Sequence, residues 1–164
     1  MNTFNQATYN RILSLTLACL MALGLILALA FPGLASDGEV TRGKFVTYAS
    51  GPELGYDISG QARMTRTASG KTLVSTHAAG LLPNTSYGVH VHNQACEDNN
   101  GGGHYQNIPG GPVDPTNEIW PGFTTDDNGV GNGKAVHAFY ARPEAQAVVI
   151  HAPGGARIAC ADLE

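Results

Sequence analysis

An all-β domain, a Greek-key β-sandwich or flattened barrel with long functional loops, is what this 164-residue chain predicts from three observations. From Val40 onward its apolar residues come in short, often alternating runs. No stretch sustains a helical period, and Gly, Pro, Asn and Asp interrupt the runs at short intervals. In order, the strands expected are VTRGKFVTYA from Val40, YDISGQARMTRT from Tyr56, KTLVSTHAAG from Lys71, SYGVHVHN from Ser86, GKAVHAFYA from Gly133, AQAVVIHA from Ala145 and ARIACADL from Ala156. The turn signals ASGK, LPNT, DDNG and PGG separate most of them. Within TTDDNGVGNGK, Asn128-Gly129 suits the positive backbone angles of a tight hairpin turn. Its acidic pair lacks the spacing of a calcium-binding helix-loop-helix. Between Asn93 and Phe123 neither period is visible, and a structureless loop of that length in a compact domain is usually functional.

The N-terminus predicts export. Arg11 is followed by ILSLTLACLMALGLILALAFPGLAS, an apolar stretch that ends in small residues and reads as a secretory signal over residues 1–36, cut after Ala35 or Ser36. The apolar run is long enough to cross a bilayer, so an uncleaved anchor is the alternative, and only then is a membrane a partner. Cys19 has Leu17 two residues before it, where a lipoprotein signal places a small residue. Residues 37–164 make one domain, located in the periplasm, the cell envelope or the extracellular space. Removing Arg11 leaves eight Lys and Arg against thirteen Asp and Glu, a formal charge of −5, which argues against nucleic acid or an anionic membrane surface as partner. Cys96 and Cys160 are the cysteines left in that domain, and two cysteines in an exported domain usually pair. A disulfide between them would tie the loop after Asn93 to the last strand.

Chemistry concentrates in YGVHVHNQACEDNNGGGHY. Alternate side chains of a strand face opposite ways, so Tyr87, Val89 and Val91 line one face while His90 and His92 share the other. His104 follows across NQACEDNNGGG, whose glycines allow a tight return, and His151 ends AVVIH on a different strand. These four imidazoles match the donor set of a redox-active copper, whose oxidised state suits tetragonal nitrogen geometry. Four scattered surface histidines are the alternative. His77 and His137 sit on expected strands without another ligand type at alternating spacing and read as surface or cross-strand residues, and Asp98 reads as a turn former.

These residues resemble a family, the copper/zinc superoxide dismutases. GVHVH is similar to the family's strand with two copper ligands, here His90 and His92, and GGGHY to the stretch with its next ligand, here His104. VVIH is similar to the strand bearing the last ligand, here His151. ARIACADL resembles the closing motif, in which Arg157 matches the arginine that attracts superoxide and Cys160 the cysteine paired with Cys96. In the zinc-containing members the residue matching His104 bridges copper and zinc, and further histidines and an aspartate follow it. Here YQNIPGGPVDPTNEIWPGF has no histidine, and only APGGA separates His151 from Arg157, where the family carries a long charged loop. The resemblance is therefore to the copper-only branch, with copper as cofactor and zinc absent. Without zinc another group must orient the free nitrogen of His104, because bound imidazoles usually give their second N–H to a carboxylate, carbonyl or water. Glu118 is the candidate that the resemblance to copper-only members implies, with Asp114 second.

The resemblance implies an exported superoxide dismutase that converts superoxide to oxygen and hydrogen peroxide, with Arg157 and Glu118 as its catalytic side chains. Two other classes stay open: a non-catalytic copper-binding or copper-delivery protein of the cell envelope, and a structural β-domain whose histidines bind metal incidentally. The sequence leaves the oligomeric state unassigned.

Overall fold

A computed structural model describes residues 38–164, so the expected leader, with Arg11 and Cys19, lies outside the described residues. The strands are β1 (Glu39–Lys44), β2 (Val46–Thr47), β3 (Ser59–Arg66), β4 (Thr72–Ala79), β5 (Ser86–His92), β6 (Phe123–Thr124), β7 (Gly131–His137), β8 (Ala147–His151) and β9 (Arg157–Asp162). They form two antiparallel sheets, one ordered β1-β3-β4-β7 and the other β2-β9-β8-β5-β6. This is an all-β sandwich, and the two sheets do not close into a barrel. No helix among the described residues is long and apolar enough to cross a membrane.

Each expected strand is present, with two local differences. The first breaks at Phe45, which turns into the core, and its halves join different sheets: Val46 and Thr47 pair with Cys160 and Ala159 of β9. The turn at Asn128-Gly129 forms, with Gly129 at φ +71°, but it links β6 of one sheet to β7 of the other rather than closing a hairpin. Asp126 organises it by accepting from the backbone N–H groups of Asn128 and Val130, the ordinary aspartate-turn chemistry.

Period-2 alternation explains the layers. In β4, Thr72, Val74, Thr76 and Ala78 are buried while Ser75 and His77 face solvent; in β3, Ala62 and Met64 point in while Gln61 and Arg63 point out. Val89 and Val91 of β5, Val148 and Ile150 of β8 and Ile158 of β9 meet Met64 and Val74 across the sandwich. β8 departs from alternation, because Ala147 and Val149 on its outer side are also buried. They pack with Cys160, Tyr48 and Cys96 in a small second apolar cluster beneath the loop that follows β5. That loop is pinned at its far end as well, since Tyr105 and Ile119 are fully buried in the main core. Gly133 of β7 is required for this closure: a Cβ there would stand 1.9 Å from the Pro121 carbonyl oxygen.

Candidate metal centre

The strand pairing brings the first three imidazoles to one face. His90 and His92 project from the outer side of β5, and His151 lies opposite Gly88 in the β5–β8 register, on the same side. A register shift between Ile150 and His151 re-aims the end of β8 and sets Arg157 directly across from His151. The fourth imidazole comes from the loop. Asn99, Asn100, Gly101 and Gly102 all take positive φ, from +49° to +88°, so the chain reverses within four residues and returns His104 beside His92 as an isolated bridge. Gly101 packs closely there, because a Cβ on it would lie 3.1 Å from Val149 and 3.5 Å from His92.

The four histidines converge on one point: one ring nitrogen from each lies within 4.8 Å of those of the others. His90 Nδ1 stands 2.7 Å from His104 Nε2, and His92 Nε2 stands 3.2 Å from His151 Nε2. Metal–imidazole bonds of about 2.0–2.1 Å place neighbouring ligand nitrogens about 3 Å apart, so these separations fit a shared ion better than they fit independent side chains. Three of the nitrogens turned away from the centre are held. His92 Nδ1 donates to the Gly102 carbonyl at 3.2 Å, His151 Nδ1 to the Gly155 carbonyl at 3.1 Å, and His104 Nδ1 to Glu118 Oε2 at 2.7 Å. Each such bond leaves Nε2 as the acceptor nitrogen that a metal takes.

The electrostatics favour neutral rings. Burial, then repulsion from His104 and His151, pushes His90 down to about 4 despite the opposing pull of Glu118. The same causes, with Arg157 adding to them against the Gly102 carbonyl, push His92 down to about 3. His151 is lowered chiefly by burial, with the Gly155 carbonyl opposing and the charges of His104 and Arg157 adding to it. Neutral imidazole is the ligand form, so His90, His92 and His151 are ready to take up a metal ion near neutral pH.

Glu118 lies beside His104 and is 1% exposed. Burial pushes its carboxyl up, but hydrogen bonds from Trp120, His104 and Gln106 outweigh that and hold it below the usual carboxylate range. Oε2 accepts from His104 Nδ1 and from Trp120 Nε1 at 2.9 Å, and Oε1 accepts from Gln106 Nε2 at 3.1 Å. Asp114, the second candidate, does not reach His104: it caps a turn by accepting from Thr116 and the backbone of Asn117. Arg157 is half-buried, and its Nη1 donates to the carbonyls of Asn99 and Asn100 at 3.1 and 2.9 Å.

The Cys96–Cys160 disulfide is present, and Cys96 N donates to Asp162 Oδ1 at 2.7 Å, so the start of the ligand loop is tied to β9 twice. His77 contacts Asn132 on the exposed side of the other sheet, and His137 packs at a tilt against Phe139, both away from the centre. The sequence reading missed the supporting partners. The carbonyls of Gly102, Gly155, Asn99 and Asn100 carry no side-chain signal at all. Trp120, whose ring lies 5.4 Å from that of His90, and Gln106 flank Glu118 in a loop with no periodicity to orient them.

Neither the protein-family models nor the curated proteins give a match to this chain. Its described residues hold a buried four-histidine cluster fit for a metal ion, beside a disulfide compatible with export.

Proposed function

We propose that the chain is an exported, copper-dependent superoxide dismutase. The observation that carries the reading is an all-imidazole centre flanked by a fixed guanidinium, with the outer nitrogen of His104 given to a buried carboxylate. Copper fits the donor set, four imidazole nitrogens with neither thiolate nor carboxylate among them. Bound copper supplies a one-electron couple between its two oxidation states. In the net reaction one superoxide gives up an electron and leaves as oxygen, while a second takes that electron and two protons and leaves as hydrogen peroxide.

The chain's own residues have distinct tasks in this reading. Arg157 attracts and orients the anion, a task for a side chain charged at every working pH. With Nη1 occupied by two backbone carbonyls, Nη2 has no partner among the described residues and is available to superoxide. The net charge is negative, so the attracting field is local to Arg157 and the centre. Glu118 keeps the proton of His104 on Nδ1 and thereby keeps Nε2 pointed inward. Because that proton is committed to Glu118, the geometry supports a single-metal centre over one in which His104 bridges two ions. The resemblance of GVHVH, GGGHY, VVIH and ARIACADL to the copper-only superoxide dismutases points the same way.

The test is to load the metal-free chain with copper alone and follow superoxide loss. Activity without added zinc is expected, and Arg157→Ala should lower the rate about tenfold at unchanged copper content, as for loss of a charge-assisted contact to substrate. Tight copper binding with no turnover would instead identify a carrier, and turnover only on adding zinc would overturn the single-metal reading.

A further inference from the structure

The outer face of the four-stranded sheet, on the opposite side of the sandwich from the histidine cluster, collects charge that the overall balance hides. Two rows of directly opposed residues cross its four strands. One runs Arg42, Arg63, Ser75, Lys134 and the next Lys44, Gln61, His77, Asn132, and all eight are exposed. Four of the eight Lys and Arg of residues 37–164 therefore lie on this face, which carries no Asp or Glu in either row. None of the four has an ion-pair partner among the described residues. Glu164 bonds its backbone to that of Arg42 along the edge of β1 and forms no ion pair with it.

Arg42 and Arg63 make the decisive pair. Like charges placed directly opposite on neighbouring strands repel and weaken the sheet, and no ion pair among the described residues offsets this repulsion. An anion between the two guanidiniums would offset it, and a carboxylate matches the planar fork of each. Both arginines line a shallow depression of about 540 Å³ together with Ser75, Gln61, His77 and Asn132. His77 Nδ1 and Asn132 Oδ1 are bonded to each other at 2.9 Å, which leaves the Asn132 amide NH₂ and His77 Nε2 without partners among the described residues. Hydroxyl, amide and imidazole groups around a cationic pair are suited to a ligand that carries both carboxylate and hydroxyl groups.

We propose that this face binds a carboxylate-bearing polysaccharide, with an acidic sugar seated between Arg42 and Arg63 and its hydroxyl groups met by Gln61, Asn132 and His77. A flat lipid surface would engage spread point charges; here the donors converge on one depression. The proposal is independent of the metal centre, which stays open on the opposite face while the chain is bound.

The experiment titrates the full chain with polygalacturonate, with dextran as neutral control and phosphatidylglycerol vesicles as lipid control. Saturable, salt-sensitive binding to polygalacturonate and none to dextran are expected. Arg42→Gln/Arg63→Gln should weaken it about tenfold or more, as for loss of hydrogen bonds to a charged group. Asn132→Ala, a milder change on an exposed side chain, should weaken it several-fold through a lost neutral hydrogen bond, and metal affinity should stay unchanged in both variants. Polygalacturonate binding that the double variant leaves intact would overturn the proposal. So would a loss on the double variant seen with vesicles and not with polygalacturonate, which would assign the face to a membrane.

Discussion

Replacing both Cys96 and Cys160 with Ala tests how the ligand loop is held. The disulfide spans 64 residues of chain. On the chain-entropy account, closing a loop of that length removes roughly 4 kcal/mol of freedom from the unfolded chain at room temperature. Alanine is the right replacement because Cys160 is 1% exposed and packs with Ala147 and Val149, where a serine hydroxyl would be buried without a partner. Urea unfolding of the metal-free chain should show a loss of roughly 4 kcal/mol, with a steeper denaturant dependence because the unfolded chain expands. A second consequence reaches the centre. The segment from Cys96 to His104 supplies one imidazole, the Gly102 carbonyl that bonds His92, and the two carbonyls that hold Arg157. Loosening it should raise the dissociation constant of a bound metal about ten- to hundredfold, the range seen when groups that orient ligands are lost. A stability loss below about 1 kcal/mol would refute the entropic reasoning. Unchanged metal affinity would show that Tyr105, buried in the core just past His104, anchors the loop without the staple.

Glu118→Gln keeps the shape of the side chain but replaces one acceptor oxygen with a donor. Three donors, His104 Nδ1, Trp120 Nε1 and Gln106 Nε2, then compete for one remaining oxygen. Metal affinity, measured by competition with a chelator, should fall about tenfold or more, and unchanged affinity would remove Glu118 from the site. The metal-free chain should also lose stability in mild acid. With folded values pushed down to about 4 for His90 and about 3 for His92, the unfolded chain binds protons that the folded chain refuses. The stability is fully present above the ordinary histidine value near 6.5 and is lost as pH falls from there through about 4 and about 3. His92, fully buried, contributes on the order of 2 kcal/mol between pH 7 and pH 5, and a flat denaturation midpoint across that range would refute it.

How much of this was legible in the sequence follows from which signals are local. Period-2 alternation in VSTHA and YGVHVH announces both strand and facing, so the shared face of His90 and His92 could be read directly. The break at Phe45 could not, because the adjacent apolar pair Phe45-Val46 interrupts the alternation of VTRGKFVTYA without saying that its halves join different sheets, and tertiary packing decides that Phe45 turns into the core. Likewise Asn128-Gly129 states that the chain turns, but not to which sheet it goes next. At the centre, the ligand residues have distinctive side chains, whereas four of the second-nitrogen and guanidinium contacts run to backbone carbonyls that any residue possesses. The cationic face was also out of reach of composition. Its charges are spread from Arg42 to Lys134 in sequence, and only the register of four strands brings them into two rows.

The position of the centre on the outside of its sheet has a physical reason. The space between the sheets is filled by aliphatic side chains such as Val89, Val91, Val148 and Ile150, where four imidazoles would lack the polar partners that their outer nitrogens need. On the outer face those partners are the Gly102 carbonyl and the Glu118 side chain from the loop after β5 and the Gly155 carbonyl from the turn between β8 and β9, and burial favours the neutral form of His90, His92 and His151. This arrangement also leaves one side of the cluster approachable, with His90, His104 and His151 only partly buried. The sandwich therefore acts as a rigid platform that fixes three ligands by register, and the loop supplies the fourth. A substitution in the interior should then alter the centre only by shifting β5 against β8, whereas a change in the return from Asn99 to Gly102 acts on it directly. Gly101 is one such position, since its φ of +88° strains any side chain and a Cβ there would approach Val149 to 3.1 Å, closer than an ordinary contact.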